Sequence, residues 1–108
     1  MLSMKADLDD LLVSAVDETL KQVFREAGAK VVYAYLKNNS DLKLEEIAEK
    51  PQVFLASLRR LLGSGALVIE KMILQNLYSK LDLKFEEKKG YEFSDYIKRS
   101  QLMKRHGC

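Results

Sequence analysis

The sequence predicts a single all-α domain, one small bundle of five or six helices. Three observations carry that prediction. Apolar residues recur at helical spacing through most of the 108 residues. There is one proline and no Gly/Ser-rich tract, so nothing marks a linker or a second domain. Alternation with a period of two is confined to one short stretch, about 83–93.

The first helix is expected over 8–27. Leu8, Leu11, Leu12, Ala15, Val16, Leu20, Val23, Phe24 and Ala27 fall at i, i+3, i+4, i+7, with Asp10, Ser14, Asp17, Glu18, Lys21 and Arg25 on the other face. Asp7 is the expected N-cap, and Asp9 and Asp10 suit the positive end of the helix dipole. Gly28 predicts a bend or break, and a second helix follows over 29–37 with Val31, Val32, Tyr35 and Leu36 as its apolar face. Asn38-Asn39-Ser40-Asp41 is a stop and turn. Leu44, Ile47 and Ala48 suggest one or two helical turns.

Pro51 opens the next helix, where its missing N–H costs nothing, and Phe54, Leu58, Leu61 and Leu62 form its inner face. Gly63-Ser64-Gly65 ends it, with Ser64 expected to cap the following helix. That helix, 65–81, is apolar on nearly all sides, which places it at the centre of a bundle or against a second subunit. Leu83 and Phe85, the turn Glu87-Lys88-Lys89-Gly90, then Tyr91 and Phe93 suggest a short hairpin-like segment. A last helix starts near Ser94. The domain core is expected over about 7–97, with a frayed tail at 104–108. The expected buried residues are Leu12, Val16, Leu20, Phe24, Val32, Leu36, Ile47, Leu58, Leu62, Ile69, Ile73, Leu77, Phe85, Tyr91 and Phe93.

Composition narrows the function classes. Hydrophobic residues are 47% and charged residues 31%, the balance of a globular domain and not of a disordered one. No uncharged stretch approaches the ~18 residues of a membrane span. Asp7, Asp9 and Asp10 interrupt any signal-peptide core. The lone Cys108 permits no internal disulfide, and a reducing, cytoplasmic compartment is expected. The net charge of +2 hides an asymmetry: residues 1–50 carry net −3 and residues 51–108 net +5. A mixed solvated surface explains this, and so does an acidic partner for the second half.

No constellation for catalysis is present, so no enzyme is expected. Nucleophilic chemistry needs a nucleophile held beside a base. The only histidine, His106, and the only cysteine, Cys108, both sit in the tail and are too few for a zinc site. The carboxylate pairs Asp9/Asp10, Glu45/Glu46 and Glu86/Glu87 are adjacent in sequence and diverge by about 100° on a helix. Gly63-Ser64-Gly65 lacks the lysine and spacing of a phosphate loop. No catalytic, cofactor or metal residue is therefore assigned, and no cofactor is expected.

The order helix, turn, Leu44–Ala48, then 51–62 also looks like a winged helix-turn-helix. In that alternative reading 51–62 enters the major groove, with Gln52 reading a base edge and Arg59 and Arg60 reaching phosphates. Two features oppose it. Nothing after Leu67-Val68-Ile69 returns the chain to form a wing, and Val53, Phe54 and Leu55 follow Gln52 where base-reading helices carry polar side chains. The tyrosines and phenylalanines read as core aromatics, and Lys88, Lys89, Lys98 and Arg99 as solvated surface.

Leu77-Tyr78-Ser79-Lys80-Leu81-Asp82-Leu83-Lys84-Phe85, then Gly90-Tyr91-Glu92-Phe93-Ser94-Asp95-Tyr96-Ile97, resembles the second half of the Nitrosopumilus output domain five family. Glu45-Glu46-Ile47, Pro51, the glycine turn between Leu61 and Ala66, and Ile73-Leu74 fit the same pattern, so the resemblance spans about residues 10–97. It departs at Asp82, where the family pattern has glycine. The resemblance implies an archaeal cytosolic domain acting in signalling output, and it assigns no catalytic or ligand-binding residue. The expected function is accordingly a non-enzymatic protein-interaction or signalling-output module. A homodimer is expected as well: the 8–27 stripe is about 30 Å long and 65–81 has apolar surface to spare. In the competing arrangement Phe85, Tyr91 and Phe93 fold over that surface and complete a monomer.

Overall fold

The computed structural model describes residues 4–106, and side chains over 8–103. It is all-helical among those residues. The order is α1 (Met4–Ser40), a 3-10 turn (Leu44–Glu46), α2 (Pro51–Leu62), α3 (Gly65–Lys80) and α4 (Phe93–His106). No described helix is long and apolar enough to cross a membrane.

These four helices are fewer than the five or six expected, for two reasons. Leu44–Glu46 closes only a single 3-10 turn. The two helices expected on either side of Gly28 are both present, but they follow one another with no loop and count as one element, α1, broken at Arg25 (φ 64°, ψ 178°). A straight helix of this length would measure about 56 Å, yet the molecule's longest extent is 39 Å. The Tyr33 hydroxyl donates to the Asp17 carboxylate, although 16 residues of straight helix separate their backbones by about 24 Å. Residues 4–24 and 26–40 are therefore two arms folded on each other.

The bend falls three residues before the glycine that predicts it. Arg25 occupies a region that essentially only glycine visits, at a cost of about 1–3 kcal/mol. Gly28 permits the closure in another way. A Cβ there would lie 2.6 Å from the Phe24 Cβ, so only glycine lets the two arms approach this closely. The bend also explains why the expected stripe fails in its last turn: Val23 and Ala27 are exposed and Phe24 is half-buried.

α3 lies at the centre, packed against α1, α2 and α4. Ala66, Ile69, Ile73, Leu74, Leu77 and Tyr78 are its buried face. The first arm of α1 lies against it, Glu18 accepting from Asn76 and Lys80 of α3, and contributes Leu8, Leu12, Ala15, Val16 and Leu20 to the same core. The second arm adds Val32 and Leu36, and the segment that follows it adds Leu42 and Ile47, all buried. α2 contributes Phe54, Leu55 and Leu58, and is pinned to the end of α1 by a hydrogen bond between the Ser40 and Ser57 hydroxyls.

The glycine turn before α3 forms as expected, with Gly63 at φ 59°. Ser64 makes no side-chain cap, because the short turn already satisfies the first N–H groups: Ala66 N donates to Gly63 O and Leu67 N to Ser64 O. The far end of α3 closes with paired bonds from Leu83 N to Tyr78 O (2.9 Å) and Asp82 N to Ser79 O (3.0 Å), with Asp82 at φ 57°. That is a left-handed cap, at the position where the resemblance leads one to expect glycine.

The hairpin expected over 83–93 is not formed; the described segment has no strand pairing. Aromatic packing replaces the ladder. Phe85 lies 5.2 Å from both Tyr78 and Tyr96, and Tyr91 lies 5.1 Å from Tyr96. The Tyr96 hydroxyl accepts from Lys88 N and donates to Lys88 O, and the Tyr78 hydroxyl donates to Tyr96 O. Phe93 is buried and Phe85 half-buried, as is Leu62, but Tyr91 is 40% exposed, against expectation. Without strand pairing nothing turns the Tyr91 ring inward. α4 begins with a carboxylate cap, Glu92 N donating to Asp95 Oδ2 at 2.8 Å. It stays helical to His106, three residues into the tail expected to fray, while Gly107 and Cys108 lie outside the described residues.

Candidate functional site

A groove of about 480 Å³ lies between α3, the 82–92 segment and the start of α4. Its position follows from the fold. α3 has more apolar surface than α1 and α2 cover, and the aromatic segment closes only part of the remainder. Leu67, Leu74, Phe85 and Phe93 supply apolar lining. Leu67 is 59% exposed, and Val68 beside it in sequence 61%.

Two ion pairs line the same groove. Arg59 Nε and one terminal nitrogen donate to the two Glu70 oxygens, each at 3.2 Å. The Glu70 residue is 7% exposed, so Arg59 is what compensates its buried charge. The hydrogen bond and the adjacent carboxylate hold Arg59 above its ordinary pKa. Lys71 pairs with Glu87 across the groove. This pairing fixes the 82–92 segment to α3 by its charges, as Phe85 does by its ring. Burial raises the Tyr78 hydroxyl, with a nearby Arg99 charge opposing. It therefore serves as a neutral donor.

Arg59 is the one candidate from the sequence that enters this groove. Gln52 is exposed in the first turn of α2 and lines a smaller hollow of about 140 Å³ with Ala56, Arg59 and Ser94. Arg60 is exposed. Gln52 and Arg60 thus lie open on α2, while Arg59 is tied back to Glu70. Glu70 was not anticipated as its partner. The two residues flank a two-residue helix turn, and that spacing was the available signal.

A second hollow, about 530 Å³, lies on α4 and shares Lys89 and Tyr91 with the first. Lys98, Arg99, Leu102 and Met103 line it too, so three of the four basic residues read from the sequence as solvated surface, Lys89, Lys98 and Arg99, share this hollow, while Lys88 lines the first. Among the described residues no group of three or more acidic, histidine or cysteine side chains is placed to hold a metal. His106 ends α4, and Cys108 lies outside the described residues. No family model matches the chain, nor does any curated protein or solved structure.

Proposed function

We propose that this chain is a non-enzymatic protein-interaction module, of the signalling-output kind that the resemblance implies, and that the α3 groove is its docking surface. One observation carries the reading: Leu67, more than half exposed, stands at a groove lined by Leu74, Phe85 and Phe93 and bordered by the Arg59–Glu70 and Lys71–Glu87 pairs. Apolar lining with a charged border is the anatomy of a protein-binding surface. The partner class that fits is a peptide or helix with an apolar stripe flanked by both signs of charge.

The alternative is duplex-DNA binding through Gln52, Arg59 and Arg60 on α2. Exposed Gln52 and Arg60 are compatible with it, but the Arg59 charge is already paired with Glu70, which weakens its attraction for a phosphate.

A photoreactive benzoyl-phenylalanine at position 67, expressed in the native cell, tests the choice. A discrete protein adduct is expected, absent when the probe replaces exposed Lys37. Absence of a protein adduct, together with salt-steep duplex binding lost in Gln52→Ala/Arg60→Ala, overturns the proposal in favour of DNA. Arg59→Ala is unsuitable for that arm, because it leaves the Glu70 carboxylate buried without its partner.

A further inference from the structure

We propose that this chain exchanges its first arm between two copies: α1 straightens at Arg25, and residues 4–24 of each chain dock on the α3 of the other. The interface needed is already present within one molecule. The first arm is bonded to α3 through Glu18 with Asn76 and Lys80, and its Leu8, Leu12, Ala15, Val16 and Leu20 are buried in one core with the α3 residues. In the exchanged pair the same side chains meet the same surface on the second copy, so the first arm's burial is kept and only the contacts at the bend itself, such as Phe24 against Gly28, are given up.

Three features at the bend favour the exchange. A single residue, Arg25, interrupts the helix, and its conformation suits glycine and not arginine. Letting it become helical removes that strain in both chains. Next, Val23, Ala27 and Val31 are all exposed in the bent form, Val31 at 64%. They sit at i, i+4 and i+8, so on a straight α1 they line up as one apolar stripe across the former bend. A stripe that is continuous only when the helix is straight has a natural cover in the same stripe of a second copy. Finally, the register closes on itself. Asp17 and Tyr33, bonded in the bent form, are each eight residues from Arg25. When the first arm of one copy takes the place of the first arm of the other, Asp17 of one copy meets Tyr33 of the other, and the same bond forms twice about a two-fold axis. The exchange does not depend on the α3 groove being a docking surface.

The bend gives opposite handles on the equilibrium. Gly28→Ala puts a Cβ 2.6 Å from the Phe24 Cβ in the bent form and favours helix in the straight one. It should tighten dimerisation by at least about tenfold. Arg25→Gly fits the bent form and should move the population to monomer. Val31→Lys should weaken the dimer.

Light scattering across a hundred-fold range of concentration reads these as masses of 12.4 kDa or twice that. An exchanged dimer is distinguished from an ordinary one by mixing two chains in a Cys108→Ser background, one carrying Asp17→Cys and the other Tyr33→Cys. They are refolded together at high concentration and treated with a short bis-maleimide. A cross-chain product is expected. A dimer that yields none, or a mass of 12.4 kDa at every loading with no cross-chain product, overturns the exchange. Because the cross-link is read with Arg25 and Gly28 intact, it decides the matter even if Gly28→Ala does not fold.

Discussion

Asp82 shows how a single residue carries both a cost and a role. Its φ of 57° closes the α3 cap by turning the Leu83 N–H back onto Tyr78 O. Aspartate tolerates the left-handed region better than most residues, but glycine enters it without a steric penalty. Asp82→Gly should raise stability by about 0.5–1 kcal/mol, read as a higher urea midpoint with an unchanged slope. Asp17 makes a second prediction. Burial alone would raise its carboxyl, but the hydrogen bond from Tyr33 and the pairing with Lys21 at 2.9 Å outweigh it and hold the group below its ordinary 3.8. A depressed carboxylate contributes stability above its unfolded pKa and loses it as pH falls through the folded value. Tyr33→Phe should therefore cost about 1 kcal/mol at pH 7, discounted for partial exposure. The gap to the unmodified chain should shrink below about pH 4. Parallel urea titrations at pH 7 and pH 3 check it, and a gap that widens in acid contradicts the assignment.

At the level of elements, α3 is the part most legible in the sequence, because a helix apolar on most sides has only one place in a small bundle. Ile73, fully buried, is its midpoint. Ile73→Ala should cost about 2–5 kcal/mol, the range for a cavity left by a large aliphatic side chain. An unchanged melting temperature would place Ile73 at the surface. Pro51 and Gly63 fixed the ends of α2 for local reasons that propensity captures. The bend in α1 was legible only approximately. Gly28 signals a break, yet the strained residue is Arg25, because the arms need room for the Phe24–Gly28 approach and the backbone turns where that contact allows. The 83–93 segment was misread for a tertiary reason. Its alternating residues look like a strand, but Phe85 and Phe93 pack against helices, and Tyr96 bonds the Lys88 backbone in place of a partner strand. The groove is legible only as a surplus: the sequence shows apolar surface to spare on 65–81 and the aromatics that can cover it, but not the Arg59–Glu70 and Lys71–Glu87 pairs at its border. Leu67 and Val68 are not among the residues expected to be buried, and the packing of the other helices leaves both outside.

For the whole molecule, everything rests on the two arms of α1 lying side by side. That arrangement buries the first arm on α3, leaves Val23 and Val31 outside, and confines the chain to 39 × 35 × 22 Å. It also sets the surplus of apolar surface that the aromatic segment and the groove share. Pulsed electron resonance with spin labels at Ser14 and Lys37, both exposed, measures it directly in a Cys108→Ser background. The sample is held dilute and mixed with excess unlabelled chain, so that only distances within one molecule count. Folded arms bring the two labels to within about 20 Å or less, since the positions are near mirror images about Arg25. A straight α1 separates them by about 35 Å, 23 residues at 1.5 Å each. A distribution dominated by the short distance is the predicted result; one centred near 35 Å in the dilute sample would contradict the fold-back.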